Sequence, residues 1–197
     1  MKISKPNSKY NISVIDNIFD SNFMLVAYDT LVSSPYYYKN KDVMYDNTST
    51  PKLRSDFYIN NQLSELSISQ KLTIDTIYDK IKYIFQELKV PKELTHLQEI
   101  YSNMSSPGTV DMFHVDSPEP SSLTVLYYAN PKWEIDFVGE TIFTNNSGDE
   151  IIASVTPKPG RIVIFEGSIG HSARPPQIIK LPRVTLAYKF IKTHNNK

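Results

Sequence analysis

From Val90 onward the chain breaks into short runs of β-branched and aromatic residues, and this pattern limits the possible folds more than any other feature. The runs are "THLQEIYSNM", "TVDMFHVD", "SSLTVLYYAN", "GETIFTN", "EIIASVTP", "GRIVIFEG" and "RVTLAYKFI". Between them stand the turn signals "SSPG", "SPEPSS", "NNSGD", "PKPG" and "ARPP". Many short strands at this spacing predict a sandwich, barrel or jelly roll.

The first half reads differently. "ISVIDNIF" predicts a short strand, and "DSNFMLVAYDTLV" a helix capped by Asp20 or Ser21. The polar stretch "SSPYYYKNKDVMYDNTSTPKLRSDF" carries Pro35 and Pro51, shows no period, and predicts a long ordered loop. Between Ile68 and Leu88, the residues Leu72, Ile74, Ile77, Ile81, Ile84, Phe85 and Leu88 recur mostly every three or four places. That predicts an amphipathic helix with one buried face. The expectation is one α+β domain spanning 1–197. Residues 1–92 form a helical support region with an N-terminal strand, and residues 93–192 form the β-rich core.

Lys plus Arg and Asp plus Glu both total 21, so net charge is zero. This disfavours a nucleic-acid or membrane surface, although a locally basic groove stays compatible with it. The absence of cysteine removes disulfides, thiolate metal sites and a cysteine nucleophile. With no apolar leader-like stretch at the start and no later run long enough to span a bilayer, the expectation is a cytosolic protein.

In "MFHVDSPEP" a histidine and an aspartate stand two apart. If the segment is extended, His114 and Asp116 share a face and Val115 points away. That is half of a metal site or of an acid–base pair, but a surface strand with outward polar residues gives the same pattern. Of the other histidines, His194 lies in the tail and His96 has only Glu93 and Glu99 nearby in sequence. His171, in "GSIGHSARPP", sits where glycines let the backbone turn a side chain inward. Two histidines and one carboxylate on a metal leave three adjacent positions open, the facial triad of non-haem Fe(II) oxygenases. Beyond His171, Arg183 and Thr185 share one face of "RVTLAYKF". They either mark an edge strand with a snorkelling arginine or set a guanidinium and a hydroxyl inside the sandwich to meet a carboxylate. One tyrosine of "LTVLYYAN" could offer its hydroxyl to the same anion.

The stretch from about Glu99 to Phe190 resembles the Fe(II)/2-oxoglutarate-dependent dioxygenases, in particular the prolyl 4-hydroxylase-like branch. The pieces that carry this are "FHVDS", "LTVLYYANPKW", "GETIF", "SVTPKPGRIVIFEGSIGHSARPP" and "RVTLAYKF". Their wording is most similar to small dioxygenases of marine phages and bacteria, which extends the expected location to the cytoplasm of an infected host cell. The resemblance implies a double-stranded β-helix (jelly roll) core with N-terminal helices packed on one sheet. It also implies Fe(2+) held by His114, Asp116 and His171. The co-substrate 2-oxoglutarate would be held at its C5 carboxylate by Arg183, with help from Tyr128 and Thr185. Dioxygen is the second co-substrate, and ascorbate a supporting reductant. Departures are a long interval from His171 to Arg183, with Lys180 inside it as a rival anchor, and Tyr101 standing early for the tyrosine expected before His-x-Asp.

The implied reaction hydroxylates an unactivated C–H bond, suggested to be that of a peptidyl proline, and releases succinate and CO2. Protein side chains and small molecules are both admissible substrates, and oligomeric state is not readable. Arg174 reads equally as a second anion contact or a surface residue. Trp133 reads as a core residue, Glu140 as a partner for a ligand histidine or a solvent-facing acid, and Tyr36–Tyr38 as a groove lining or a packing cluster. The Ser117–Ser122 loop is expected at the substrate entrance. Two rivals remain: a non-catalytic jelly-roll binding or structural protein, and a cupin-like metalloenzyme.

Overall fold

In the computed structural model, residues 1–7, 9–39, 52–59, 62–119, 121–177 and 181–192 are described. The elements run β1 (Lys2–Ser4), β2 (Ile12–Asp16), α1 (Ser21–Val32), β3 (Tyr37–Lys39), β4 (Lys52–Ile59), β5 (Gln62–Leu63) and α2 (Ile68–Glu87). They continue as β6 (His96–Ser105), β7 (Leu123–Tyr128), β8 (Thr141–Thr144), β9 (Ile151–Val155), β10 (Ile162–Glu166), β11 (His171–Ala173) and β12 (Arg183–Ile191). Among the described residues these strands make two antiparallel sheets. The major sheet has the order β1-β2-β10-β7-β12-β6-β4-β3, with β5 beside β4, and the minor one has the order β11-β8-β9. This is the jelly-roll core, with both helices on the outer face of the major sheet.

Both helices form where the sequence places them. Asp20 caps α1, its Oδ1 accepting the amide of Phe23 at 2.9 Å. Ser67 and Gln70 make a reciprocal capping box at the start of α2, satisfying amides that the helix itself leaves unpaired. Ile74, Ile77, Ile81, Ile84 and Phe85 are buried against Val184, Leu186, Tyr188 and Phe190 of the major sheet. Leu72, read from its spacing as part of this apolar stripe, is instead 64% exposed.

The alternation along β12 organises the molecule. Its even-numbered side chains, Val184 to Phe190, join the helix-side core. Its odd-numbered ones, Arg183, Thr185 and Lys189, face the other way by the period of two. That second face is roofed by the minor sheet, where Phe143, Val155 and Ala153 pack with Tyr128, Val163 and Phe165.

Three expectations need correction. The stretch read as one long loop contains β3 and β4, which extend the major sheet beyond β6; residues 40–51 lie outside those described. Strand pairing overrides the weak local pattern here because Phe57 enters the core and Arg54 finds carboxylates at Asp56 and Glu99. "TVDMFHVD" is not a regular strand: it touches a neighbour as a ladder only at His114, in an isolated bridge to His171. Asp116 N and Ser117 N both donate to Gly167 O, which converts the expected ladder into a turn. His171, expected in a loop, opens the short strand β11.

Candidate metal and co-substrate site

The isolated bridge sets the spacing of two histidines. His114 N donates to His171 O at 3.0 Å, and His171 N returns the bond to His114 O at 2.9 Å. Asp111 ties the preceding segment to β11: its carboxylate accepts from Ala173 N at 2.8 Å and its carbonyl from Ser172 Oγ at 2.7 Å. Each histidine ring is then fixed by its own backbone. Nδ1 of His114 donates to Met112 O, and Nδ1 of His171 to Ile169 O, both at 2.9 Å. These bonds place the proton on Nδ1 and leave Nε2 of both rings as a lone-pair donor. Glu140 takes no part in this, and its carbonyl accepts the amide of Arg174.

The carboxylate completes the set. Nε2 of His114 is 3.8 Å from Asp116 Oδ1, and Nε2 of His171 is 3.5 Å from Asp116 Oδ2. One ligand atom from each of His114, Asp116 and His171 lies within 4.8 Å of the others. Burial pushes the Asp116 carboxyl up, but its interactions with His171, with the Lys189 ammonium and with His114 outweigh it and hold the group well below its ordinary value. Burial lowers His171 from its ordinary value, against the opposing pull of Asp116, so its neutral, ligating form is favoured. Two neutral imidazoles and one carboxylate suit a divalent first-row metal that keeps open positions; the donor set fits Fe(II).

The same cavity runs between the sheets to Arg183, past Thr185, Thr141, Asn103 and Tyr101. Arg183 is 2% exposed. Its Nε donates to Gly139 O at 2.7 Å and an Nη to Thr141 Oγ1 at 3.0 Å. Among the described residues no carboxylate pairs with it. Its guanidinium lies 5.2 Å from the centre of the Tyr128 ring. Tyr128 does not line the cavity; its hydroxyl shares a 2.6 Å hydrogen bond with Thr141, the residue that also receives Arg183. Thr185 lines the cavity directly. Tyr101, which does likewise, is pushed up to about 12 by burial and by Asp116 and stays a protonated phenol.

Other sequence candidates fall outside the cavity. Arg174 is exposed, 5.7 Å from the Phe113 ring. Trp133 is not a core residue: it is half-buried over Gly139 with its indole N–H on Val138 O. Tyr37 and Tyr38 lie exposed on β3, while Tyr36 reaches Ser102 Oγ at 2.7 Å. Lys180 and His194 lie outside the described residues. Two neighbours of the carboxylate were not singled out from the sequence. Thr124 Oγ1 donates to Asp116 Oδ2 at 2.6 Å, and Lys189 Nζ stands 2.8 Å from Oδ1. The signal for Lys189 was its parity with Arg183 and Thr185 on a mostly apolar strand.

A jelly roll that gathers two imidazoles and a carboxylate at one mouth has the architecture of the non-haem iron oxygenases. Residues 101–190 match the family model described as 2OG-Fe(II) oxygenase superfamily. Enzymes of this superfamily use Fe(II), 2-oxoglutarate and dioxygen. Solved structures share the fold across nearly the whole chain. An oxidoreductase of the 2OG-Fe(II) oxygenase family from Burkholderia pseudomallei has a TM-score of 0.71 at 14% identity, covering 93% of this chain and 86% of its own. A prolyl hydroxylase from Trichoplax adhaerens, solved with a hypoxia inducible factor peptide fragment, has a TM-score of 0.69 at 15% identity, covering 93% and 84%. A Pseudomonas putida prolyl-4-hydroxylase has a TM-score of 0.67 at 14% identity, covering 94% and 95%. No curated protein matches the chain.

Proposed function

We propose that the protein is an Fe(II)- and 2-oxoglutarate-dependent dioxygenase that hydroxylates an unactivated C–H bond. The overall balance is substrate C–H plus 2-oxoglutarate plus O2 giving substrate C–OH, succinate and CO2. The observation that carries the reading is Arg183: a buried guanidinium with no carboxylate partner among the described residues, in the cavity that also holds His114, Asp116 and His171. A buried charge is costly unless paired, which suits this arginine to receiving an anion in the cavity. The C5 carboxylate of 2-oxoglutarate answers that need.

His114, Asp116 and His171 would hold the iron, which when bound supplies the redox chemistry with dioxygen. The remaining work belongs to the chain. Arg183 fixes the far end of the co-substrate, with its own fork aimed by Gly139 O and Thr141. Tyr128 acts through Thr141 and keeps that hydroxyl in place. Thr185 offers a hydroxyl along the co-substrate, and Leu126 gives the cavity an apolar wall. The minor sheet excludes bulk water, which strengthens the ion pair at Arg183.

For the substrate, the fold likeness to prolyl hydroxylases makes a peptidyl proline the first to test, with other protein side chains and small molecules after it. The test of the reading is succinate formation with Fe(II), ascorbate, dioxygen and 2-oxoglutarate, including the slow uncoupled turnover expected without substrate. N-oxalylglycine should stop it. His114→Ala should abolish it while the far-ultraviolet circular dichroism stays native, because the imidazole lies at the cavity mouth. A folded protein that binds Fe(II) yet makes no succinate and binds no 2-oxoglutarate would favour the non-catalytic jelly roll.

A further inference from the structure

Lys189 is a cation placed where the proposed metal site has no obvious need of one. It is carried by β12 on the same face as Arg183 and Thr185, directly across from Thr124 in the register with β7 and from Glu99 in the register with β6. Its ammonium does not go to Glu99. It goes inward, 2.8 Å from Asp116 Oδ1 and 5.4 Å from the centre of the Tyr101 ring. The lysine side chain is 19% exposed and that of Asp116 is 6% exposed, so the contact is largely withdrawn from solvent. The other oxygen, Oδ2, is taken by Thr124 Oγ1.

The carboxylate is thus gripped at both oxygens by neighbouring strands of the major sheet, Thr124 from β7 and Lys189 from β12. An unbraced aspartate turns about its two side-chain torsions, and either oxygen, or both, can meet a metal. With each oxygen already accepting a hydrogen bond, the plane of the carboxylate is fixed and one lone-pair direction on each oxygen is used. We propose that Lys189 is a positioning residue for the metal-binding carboxylate, and that with Thr124 it fixes the orientation in which Asp116 is presented to the metal. The inference rests on the reading of His114, Asp116 and His171 as metal ligands. It concerns a residue that is not among those lining the cavity and acts through Asp116.

The test uses the full chain and Co(II) alone, followed by titration calorimetry and by the visible d–d absorption that reports ligand number and geometry. The variants are Lys189→Met, Lys189→Gln and Lys189→Arg, with folding checked by circular dichroism. Removing the outer partner of a ligand weakens metal binding on the order of tenfold or more. Lys189→Met is therefore expected to raise the Co(II) Kd by that factor and to alter the d–d band. Lys189→Arg, which keeps a charged donor, should recover most of both; Lys189→Gln, which keeps an N–H donor without charge, should fall between. If the methionine variant does not fold, the glutamine and arginine variants carry the comparison, and indistinguishable Kd values and bands in both would overturn the role. Loss of thermal stability in Lys189→Met with an unchanged Co(II) Kd and band would likewise make Lys189 a packing residue only. Wild-type protein that binds no Co(II) would instead remove the metal site, and with it the reading on which this one stands.

Discussion

Arg183 and Thr141 are joined across the two sheets by a 3.0 Å hydrogen bond, and the same threonine hydroxyl is bonded to Tyr128 at 2.6 Å. The guanidinium is thereby aimed by residues that are themselves held. Arg183→Ala should cost about 2–5 kcal/mol of 2-oxoglutarate affinity, the usual consequence of truncating one side of a buried charged pair. Tyr128→Phe should cost about 1 kcal/mol, since it removes one neutral hydrogen bond at one remove from the anion. Titration of the Mn(II)-loaded protein with 2-oxoglutarate measures both. An unchanged Kd in Arg183→Ala would move the anchor elsewhere, with Lys180 the first alternative.

Gly139 has a φ of +87° and presents its carbonyl to Arg183 Nε. A β-carbon added there would lie 2.8 Å from Cζ2 of Trp133 and 3.3 Å from Cδ of Arg183. Gly139→Ala therefore combines a disfavoured backbone conformation with a steric clash, and should lose about 1–3 kcal/mol of stability. Urea unfolding measures this loss. The same variant should bind 2-oxoglutarate less tightly because the added methyl also crowds Cδ of the arginine. Wild-type stability and affinity together would contradict the geometry described.

Acid sensitivity should come in part from Asp16 on β2. Its carboxylate accepts from Arg161 Nε at 2.8 Å and from an Nη at 2.9 Å, with Lys158 nearby at 3.7 Å. The Arg161 hydrogen bonds, opposed by burial, lower its pKa from the ordinary 3.8. A group whose pKa is depressed by folding stabilises above its unfolded value and loses that contribution as the pH falls through the folded one. Asp16→Asn should accordingly be less stable than wild type by about 1 kcal/mol at pH 7. The gap should narrow below pH ~4. Unfolding midpoints for both proteins at pH 7 and pH 3 decide it; a gap that widens in acid would reverse the sign.

The strand content of the second half was legible because the runs were rich in β-branched and aromatic residues and separated by turn signals, "TVDMFHVD" being the run that forms no regular strand. Arg183 and Thr185 share a face as period two requires. For His114 and Asp116 the same rule reached a pair that does meet, although their segment is a single bridge followed by a turn and not a strand. What local sequence could not show was partnership. β4 is a strand because it pairs with β6 and because Arg54 is neutralised by Asp56 and Glu99, and none of those contacts is visible in a polar segment read alone. Lys189 had the right parity, but whether it turned to Glu99 across the ladder or to Asp116 in the cavity depended on where the minor sheet and its loops came to rest.

The paired amides of His114 and His171 have one more consequence, and it concerns timing. Two candidate ligand residues that exchange both backbone bonds are registered by the fold itself, so their separation exists without an ion. Ion capture would then require no prior ordering of the segment, leaving water exchange and access through the mouth to set the rate of loading. The two amide protons also become a clock. Their exchange with solvent deuterium measures how often the mouth of the cavity opens in the ion-free chain, and the slowing on loading measures how firmly it is then shut.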